Sequence, residues 1–416
     1  MAIPQTSTWV SDTKLPQFPK LKEDISTEVL VIGGGLAGLL SAYLLAKAKK
    51  EVVVIEKGRL SQMGTGYTTG FLSQIVDTDY SDLIDMFGKK GAKDVWNSHG
   101  KAIDLIERIV EDEEIDCEFN RCNNYIYANS RSEWRDLKTE YEAMRTLGFS
   151  VTDTPTDLGF SNKGVITVEN QGKYHAVKFV AGLVQALERM GVQIFELTEA
   201  KEHSKGKGLA KVSAGKYTIA ADWTITATYQ PFDNPKEVFL KKGMYKSYII
   251  ELEAPKGSYP EGTYEDADNP YQYFRVDRMH EHDRIILGGM DHRAELKFSE
   301  ERIFSELENY AEELFGERYK LVREWSGYIL EPLDGLAYIG QVAPRRLLAT
   351  AFSGNGMTYS AISAMIFRDI IGGKKNPYAG LYEPSRVPNM TQLWKKGRDY
   401  TEELFRGVAK IATKGS

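Results

Sequence analysis

Cysteine is scarce in this chain of 416 residues, which contains only Cys117 and Cys122. Two cysteines cannot build a disulfide scaffold, a four-thiolate zinc site or a self-contained iron–sulfur cluster. Histidine is also uncommon, with six residues. His280 and His282 flank one residue at a predicted polar turn, where side chains are usually solvated. We therefore expect a reducing compartment and no bound metal.

Long hydrophobic runs and an excess of positive charge are missing as well. The longest apolar run, residues 29–45, is interrupted by four glycines and a serine, whereas a membrane-spanning helix needs about 18–20 consecutive apolar residues. No apolar segment follows a basic start, so no secretory signal is predicted. The chain has 53 basic and 59 acidic residues, which argues against a nucleic-acid partner. We expect a cytoplasmic protein.

What is present is the composition of a globular protein, 42% hydrophobic and 27% charged. Residues 28–32 and 51–55 are short, β-branched runs that predict buried parallel strands. Residues 39–49 between them predict a helix that ends in basic side chains, as the helix dipole favours. Together they predict one βαβ unit and an α/β fold class.

The turn between the first strand and the helix, residues 33–38, reads Gly-Gly-Gly-Leu-Ala-Gly. Gly33 permits a tight turn, Gly35 allows the backbone to approach a pyrophosphate, and Gly38 allows close packing of helix on strand. Glu56 ends the second strand, where a carboxylate can accept hydrogen bonds from a ribose diol. The pattern predicts a dinucleotide site and leaves FAD and NAD both open.

Three further segments favour FAD. Residues 61–70 form a loop rich in hydroxyls and glycine, which can wrap a diphosphate and a ribityl chain. Residues 325–340 contain the run Trp-Ser-Gly-Tyr-Ile-Leu-Glu-Pro-Leu-Asp-Gly. Residues 348–358 predict a strand that runs through a glycine turn into a helix, whose N-terminus can stabilise negative charge on a reduced flavin.

Together these motifs resemble the D-amino-acid oxidase superfamily of FAD enzymes, the glycine oxidase and sarcosine oxidase type. The resemblance extends over nearly the whole chain. Within that superfamily the sequence is similar to bacterial FAD oxidoreductases that carry a C-terminal Rieske iron–sulfur domain, through residues 7–9, 65–69, 226–231 and 376–386. No Cys–His pair follows residue 376, so we expect the Rieske cluster to be absent.

The resemblance implies a non-covalent FAD, because Tyr67 occupies the loop in which some relatives attach flavin through His or Cys. Ala200 is expected beside the adenine, and Gly340 at the flavin ring. The residues implied to contact FAD are Gly33, Gly35, Leu36, Ala37, Gly38, Glu56, Lys57, Thr65, Gly66, Thr68, Thr69, Ala200, Ala227, Thr228, Gly340, Gly354, Asn355, Gly356, Met357 and Thr358.

The implied architecture is a Rossmann-type FAD-binding domain with a second, mixed-sheet substrate domain. The division that we expect is an N-terminal extended arm (1–24), the FAD-binding domain (25–80, 165–235 and 323–376), the substrate domain (81–164 and 236–322) and a C-terminal helical tail (377–416).

Candidate substrate residues come from three segments, the third of which contains Tyr328. Residues 271–278 are similar to the strand with which relatives bind a substrate carboxylate through Arg or Tyr, so Tyr273 and Arg275 are candidates. Arg275 has two interpretations, a bidentate clamp on a carboxylate or an ion pair with Asp277 or Glu265. His292 ends a strand that the family brings towards the pocket.

Tyr328 and Ile329 predict an apolar wall that favours an amine over a simple amino acid. Glycine oxidase has an Arg four residues after the tryptophan equivalent to Trp325, where this chain has Ile329. Glu331 is predicted to pair either with a substrate ammonium or with Arg323.

The implied reaction is oxidation of the C–N bond of a small amine or amino acid by hydride transfer to flavin N5. The electron acceptor is open among O2, a quinone and a redox protein. Two other functions stay open, a dehydrogenase serving a quinone or a separate iron–sulfur protein, and a subunit with a structural FAD. The basic, amphipathic tail at 391–416 predicts either contact with a membrane surface or packing, for instance in a homodimer.

Overall fold

The computed structural model describes residues 3–203, 210–232, 242–268 and 271–387. The helices are α1 (Thr8–Asp12), α2 (Leu36–Lys47), α3 (Tyr80–Asp112), α4 (Arg131–Thr146), α5 (Ala176–Arg189), α6 (Glu300–Phe315) and α7 (Gly356–Ile371). The strands are β1 (Ile25–Ile32), β2 (Val52–Ile55), β3 (Phe71–Leu72), β4 (Asn120–Ala128), β5 (Val151–Thr152), β6 (Gly164–Lys173), β7 (Gln193–Phe195), β8 (Ala200–His203), β9 (Ala210–Ala214), β10 (Tyr217–Thr226), β11 (Lys242–Pro255), β12 (Gly262–Asp266), β13 (Tyr273–Arg278), β14 (His282–Arg293), β15 (Lys320–Pro332), β16 (Tyr338–Ala343) and β17 (Arg346–Thr350).

The first sheet has the order β16-β17-β10-β1-β2-β7, with β9 and β8 attached beside β10. Its central strands, from β17 to β7, are parallel. The strand order reverses at β1, because β2 lies on one side of it and β10 on the other. Ligands of open α/β sheets bind outside the carboxyl ends of the strands at such a reversal. The predicted α/β class with a Rossmann-type sheet is confirmed.

Helix α2 is apolar on all sides because it is enclosed on all sides. Residues 36–46 are buried, and the helix contacts β1, β2, α5 and α7. A helix without a polar face is stable only inside such a layer. The strand before it is equally apolar, with Val29, Leu30 and Val31 fully buried. This packing fixes the glycine turn that joins β1 to α2.

The second sheet has the order β15-β11-β14-β13-β12-β4-β6-β3, with β5 paired to β6. Its pairs are antiparallel except for β12 with β4, so the predicted mixed sheet is present. Helix α6 packs on β11 and β14. Phe304 and Leu307 of this helix join Tyr248 and Phe274 of the sheet in one core.

The sheets divide the chain differently from the predicted boundaries. Strand β6 belongs to the second sheet, although residues 165–235 were assigned to the FAD-binding part. Strand β15 belongs there as well, although the predicted FAD-binding part began again at residue 323. Both strands carry charges that interrupt the apolar pattern, and their sheet membership depends on long-range pairing.

The two ends of the chain differ in what can be described. The predicted extended arm contains the short helix α1, and Trp9 in it is fully buried. The predicted tail at 377–416 lies outside the described residues from 388 onwards. In the ranges that are described, no helix is both long and apolar enough to cross a membrane.

Candidate functional site

The carboxyl ends of the parallel strands open onto one cavity of about 1100 Å³. Ile32, Ile55, Ala227 and Thr350, at or just after the ends of β1, β2, β10 and β17, all line it. Typical ligand sites have volumes of about 300–1,000 Å³. The cavity therefore has room for a large cofactor together with a small substrate.

Two glycines of the β1–α2 turn are required by packing. Gly33 has a φ of 116°, and a Cβ there would lie 2.4 Å from the carbonyl oxygen of Ala227. A Cβ on Gly38 would lie 2.0 Å from the carbonyl oxygen of Gly33. Gly35 differs, because a Cβ there would have a single neighbour, Thr65 Oγ1 at 3.3 Å. Gly35 therefore faces the open cavity.

Glu56 holds the turn from the end of β2. Its Oε2 accepts a hydrogen bond from the Gly34 N–H at 2.8 Å, and its Oε1 accepts one from the Gly58 N–H at 2.7 Å. Each carboxylate oxygen keeps a second lone pair for a ligand hydroxyl. Lys57 and Arg59 follow directly and also line the cavity.

An unpaired hydroxyl lies next to this carboxylate segment. Ser61 lines the cavity and is only 4% exposed. Within the described part of the chain, its Oγ has no hydrogen-bond partner. Buried polar groups are usually hydrogen-bonded, and a lone hydroxyl in a cavity wall is suited to a ligand oxygen.

The threonine-rich loop lines the cavity beside the glycine turn. Thr65, Thr68 and Thr69 line it, and Thr65 Oγ1 accepts a hydrogen bond from the Leu36 N–H at 3.0 Å. Gly66 does not line the cavity, because it packs on the carbonyl oxygen of Ser61. The loop is thus tied to the first turn of α2.

Asp77 joins the loop after β3 to the turn before α7, and sequence reasoning missed it. Its carboxylate accepts hydrogen bonds from the Gly354 N–H at 2.7 Å and from the Tyr271 hydroxyl at 3.1 Å. Asn355 Oδ1 accepts from the Asp77 N–H at 3.3 Å, and Asn355 Nδ2 donates to the carbonyl of Ile75 at 3.0 Å. Asp77 lies in a loop of ordinary composition, so the sequence carried no signal for it.

The second sheet contributes an acidic and aromatic wall, which we call the second-sheet wall. It comprises the cavity-lining residues of β11 to β15, with the carboxylates Glu265, Asp266, Asp291 and Glu331 and the phenol Tyr273. None of its described members is a lysine or arginine. The cavity's described basic side chains, Lys57 and Arg59, belong to the segment after β2.

Burial sets the ionisation of this wall. It raises the pKa of Glu265 to about 7, and the negative charge of Asp77 adds to the shift. Burial likewise raises the pKa of Asp266 to about 6. The ion pair of Arg275 is with Asp277 and not with Glu265, the other partner that the sequence suggested. Glu265 Oε1 instead accepts a hydrogen bond from Asn124 Nδ2 at 3.3 Å.

Arg275 is not a carboxylate clamp, which corrects one of the two interpretations above. Its side chain is fully buried and does not line the cavity. Nε and Nη2 donate to Asp277 Oδ1 at 2.9 and 2.8 Å, and Nη1 donates to the carbonyl oxygens of residues 69, 70 and 174. The guanidinium is therefore committed to the protein interior.

Of the other three substrate candidates, two line the cavity and one does not. Tyr273 and Tyr328 line the cavity, and Tyr328 is 51% exposed. Burial raises the pKa of Tyr273 well above its usual range. His292 does not line the cavity. Its Nε2 shares a hydrogen bond of 3.1 Å with the Tyr248 hydroxyl, and burial lowers its pKa. This corrects the expectation that the end of β14 turns His292 towards the pocket.

A family model named DAO, FAD dependent oxidoreductase, matches residues 28–370. The match covers both sheets and the whole cavity lining described above. The chain belongs to this family. It is an FAD-dependent oxidoreductase.

Curated relatives and solved structures agree with the DAO assignment. The chain is 29% identical over 410 residues to YhfW of Bacillus subtilis (strain 168), whose name describes a Rieske 2Fe-2S iron-sulfur protein, covering 96% of this chain and 80% of the relative. It is 21% identical to gamma-glutamylputrescine oxidoreductase of Escherichia coli (strain K12), covering 87% and 88%. The crystal structure of glycine oxidase from Geobacillus kaustophilus superposes with a TM-score of 0.75 at 19% identity, covering 88% and 100%.

The cavity fits the FAD of the DAO family. The open face of Gly35, the free lone pairs of Glu56 and the unpaired Ser61 hydroxyl suit a dinucleotide. Of the residues expected to contact FAD, those that line the cavity are Gly33, Gly35, Leu36, Ala37, Glu56, Lys57, Thr65, Thr68, Thr69, Ala200, Ala227, Thr228, Gly354, Asn355, Gly356 and Met357.

Four expected FAD contacts do not line the cavity. Gly38 and Gly66 act by close packing on carbonyl oxygens, as described above. Gly340 is corrected, because a Cβ there would lie 2.8 Å from Pro384 and not in the cavity. Thr358 Oγ1 lies 2.8 Å from His99 Nδ1, inside the protein.

Proposed function

We propose that this FAD-dependent oxidoreductase oxidises a C–N bond of an amine that binds as a cation. The second-sheet wall carries the proposal. A substrate carboxylate would meet Glu265, Asp291 and Glu331, whereas an ammonium would meet opposite charge. The relatives' names, glycine oxidase and gamma-glutamylputrescine oxidoreductase, support a substrate with nitrogen next to the oxidised carbon.

When bound, FAD would supply a two-electron acceptor for the hydride of the carbon beside the nitrogen, so that a neutral amine would be converted into an iminium cation. The chain itself has to orient the amine, exclude water and remove the ammonium proton, because only the neutral amine has a lone pair to assist. Glu265, with a pKa of about 7, is the group that we propose accepts this proton at a carboxylate oxygen. Tyr273 and Tyr328 would then enclose the substrate carbon chain.

We also propose that FAD is held without a covalent bond. Cys117 and Cys122 do not line the cavity. Burial raises the pKa of their thiols to about 12 and about 11, so they are poor nucleophiles at neutral pH. Denaturation with acid should therefore release all of the flavin into the supernatant.

The visible spectrum of the purified protein, recorded anaerobically during additions of amines, amino acids and 2-hydroxy acids, tests the reaction. We expect the flavin band to be bleached by a cationic amine and not by amino acids with a free carboxylate. Bleaching by 2-hydroxy acids alone would exclude C–N oxidation. Flavin that dithionite reduces but no substrate reduces would favour the structural-FAD alternative.

A second candidate, electron transfer to a separate partner, is favoured by the similarity to YhfW. That relative is named as a Rieske protein and extends beyond the region matched here. A dehydrogenase of this kind would show slow reoxidation of its flavin by O2 and fast reoxidation by a quinone analogue. Stopped-flow reoxidation with each acceptor separates the two.

The ionisation of Glu265 predicts a pH dependence of substrate affinity. Its pKa of about 7 lies above the usual value, so the side chain is neutral below pH 7 and negative above it. A cationic amine should therefore bind more tightly as the pH rises from 6 to 8. In Glu265→Gln the side chain stays neutral, and we expect KM to lie within about twofold of the wild-type value at pH 6 and to be about tenfold higher at pH 8.

The ratio of the two KM values cancels the titration of the substrate itself. Glu253→Gln is the matched control, because Glu253 lies outside the cavity lining and pairs with Lys320. A ratio for Glu265→Gln that stays constant with pH would show that Glu265 does not interact with the substrate.

A further inference from the structure

The loop at residues 66–70, which contains two of the cavity-lining threonines, is held from behind by side chains outside it. Ser7 Oγ donates a hydrogen bond to the carbonyl oxygen of Gly66, the first residue of the loop. Trp325 Nε1 donates to the carbonyl oxygen of Tyr67 at 3.3 Å, and Trp9 Nε1 donates to that of Thr68 at 2.5 Å. Arg275 Nη1 donates to the carbonyl oxygens of Thr69 and Gly70 at 3.0 and 3.2 Å. Five consecutive carbonyls thus have donors that lie away from the cavity.

This arrangement determines where the loop's amides point. The C=O and N–H of a trans peptide unit are antiparallel. The carbonyls held by Trp325 and Trp9 belong to the peptide units whose N–H groups are those of Thr68 and Thr69. These two N–H groups therefore point opposite to the tryptophans, towards the side on which both threonines line the cavity. Fixed amides of this kind stabilise anions and developing negative charge.

Trp9 is itself held rigidly. It is 0% exposed, and Arg275 and Arg284 both contact its ring, each with the guanidinium carbon 5.2 Å from the ring centroid. His175 meets the same ring edge-on at 4.8 Å. Ser7 is also fully buried and caps α1 by accepting a hydrogen bond from the Val10 N–H. A helix of five residues has no stability of its own, so these contacts keep it in place.

We propose that Ser7 and Trp9 are positioning residues of the FAD site. They turn the carbonyls of the 66–70 loop away from the cavity, so that the amides of Thr68 and Thr69 face the cofactor. The N-terminal segment is then a functional part of the site and not only a cover for the core. This role concerns FAD alone and does not depend on which substrate is oxidised.

The test compares Trp9→Phe with Trp134→Phe. Phenylalanine keeps an aromatic ring against the two arginines but removes the N–H donor to the Thr68 carbonyl oxygen. Trp134, on α4 and outside the cavity lining, loses the same group and serves as the control. We expect the Kd of the apoprotein for FAD, measured by quenching of FAD fluorescence, to rise about tenfold in Trp9→Phe and to stay unchanged in Trp134→Phe.

The spectrum and midpoint potential of the bound flavin are the second readout. A positioning role predicts that both shift in Trp9→Phe, because the amides that face the cofactor turn and the cofactor moves with them. A merely structural role predicts a lower thermal unfolding temperature with unchanged Kd, spectrum and potential, and that result would overturn the proposal. If Trp9→Phe does not fold, Ser7→Ala measured in the same way decides, with weaker FAD binding supporting the proposal and unchanged binding rejecting it.

Discussion

Replacing Gly35 by valine should abolish FAD binding while the protein still folds. Gly35 has a φ of −83°, which any residue adopts, and a Cβ there would meet only Thr65 Oγ1 at 3.3 Å. The added methyl groups therefore extend into the cavity, where the second glycine of this motif allows a pyrophosphate to approach the backbone. We expect the Kd for FAD to rise on the order of 1000-fold, about 4 kcal/mol.

Gly38→Val is the matched substitution for this prediction. A Cβ on Gly38 would lie 2.0 Å from the carbonyl oxygen of Gly33, so the strand and helix would have to separate. This variant should lose soluble protein or unfold at a lower temperature. Flavin content after purification and circular dichroism distinguish the two effects. A yellow, FAD-loaded Gly35→Val protein would show that the cofactor does not pass this face of the turn.

The contrast between these glycines shows how far the sequence determines the site. The spacing of residues 33–38 relative to the strand and to Glu56 is local, and the structure places Glu56 and those residues on the cavity, apart from Gly34 and Gly38. Local spacing also located the turn before α7. What spacing does not contain is the packing partner from a distant part of the chain, Pro384 for Gly340 and His99 for Thr358, and this explains why neither residue lines the cavity.

The substrate side of the site was less predictable, because it is formed by pairing between distant strands. Arg275 and Asp277 alternate on β13 in a pattern equally consistent with a surface or a pocket. Only the approach of Lys173 from β6 and Arg284 from β14 shows that this face of β13 is the interior. Glu265 lies on the neighbouring strand β12 and reaches the cavity instead.

The N-terminal segment illustrates the same point. Its prolines and polar residues predicted an extended arm, and a pattern of three residues, 7–9, carried no sign of burial. The burial of Trp9 depends on two arginines and a histidine more than 160 residues away in sequence. Such a contact becomes visible only once both sheets are assembled.

Replacing Asp277 by asparagine should destabilise the protein strongly. Its carboxylate accepts hydrogen bonds from Arg275, Arg284 and Lys173 at distances between 2.7 and 3.0 Å. All four side chains are nearly fully buried. Without this negative charge, the three cations have only two carboxylates beside them, Glu118 next to Arg284 and Glu261 next to Lys173. Breaking a buried ion cluster in this way costs about 3–5 kcal/mol.

The loss of stability in Asp277→Asn should depend on pH. The two arginines and Lys173 hold the pKa of Asp277 far below its usual range, against the effect of burial. A depressed pKa stabilises the folded state above the unfolded pKa of about 4, and that stabilisation is lost as the pH falls further. The difference in unfolding free energy between wild type and Asp277→Asn should therefore be full at pH 7 and shrink below about pH 4.

The control for Asp277→Asn is Asp222→Asn. Asp222 pairs with Arg345 at 3.1 Å, but both side chains are about half exposed, and such surface pairs contribute under about 1 kcal/mol. Denaturant unfolding of both variants at pH 7 and at about pH 2.5, below the unfolded pKa, measures the comparison. Equal, small losses of unfolding free energy would mean that the cluster tolerates an unpaired cation.

Because Arg275 also donates to the 66–70 loop, a large loss of stability in Asp277→Asn should be accompanied by weaker FAD binding. That result would connect the buried charges behind β13 to the geometry of the cofactor site.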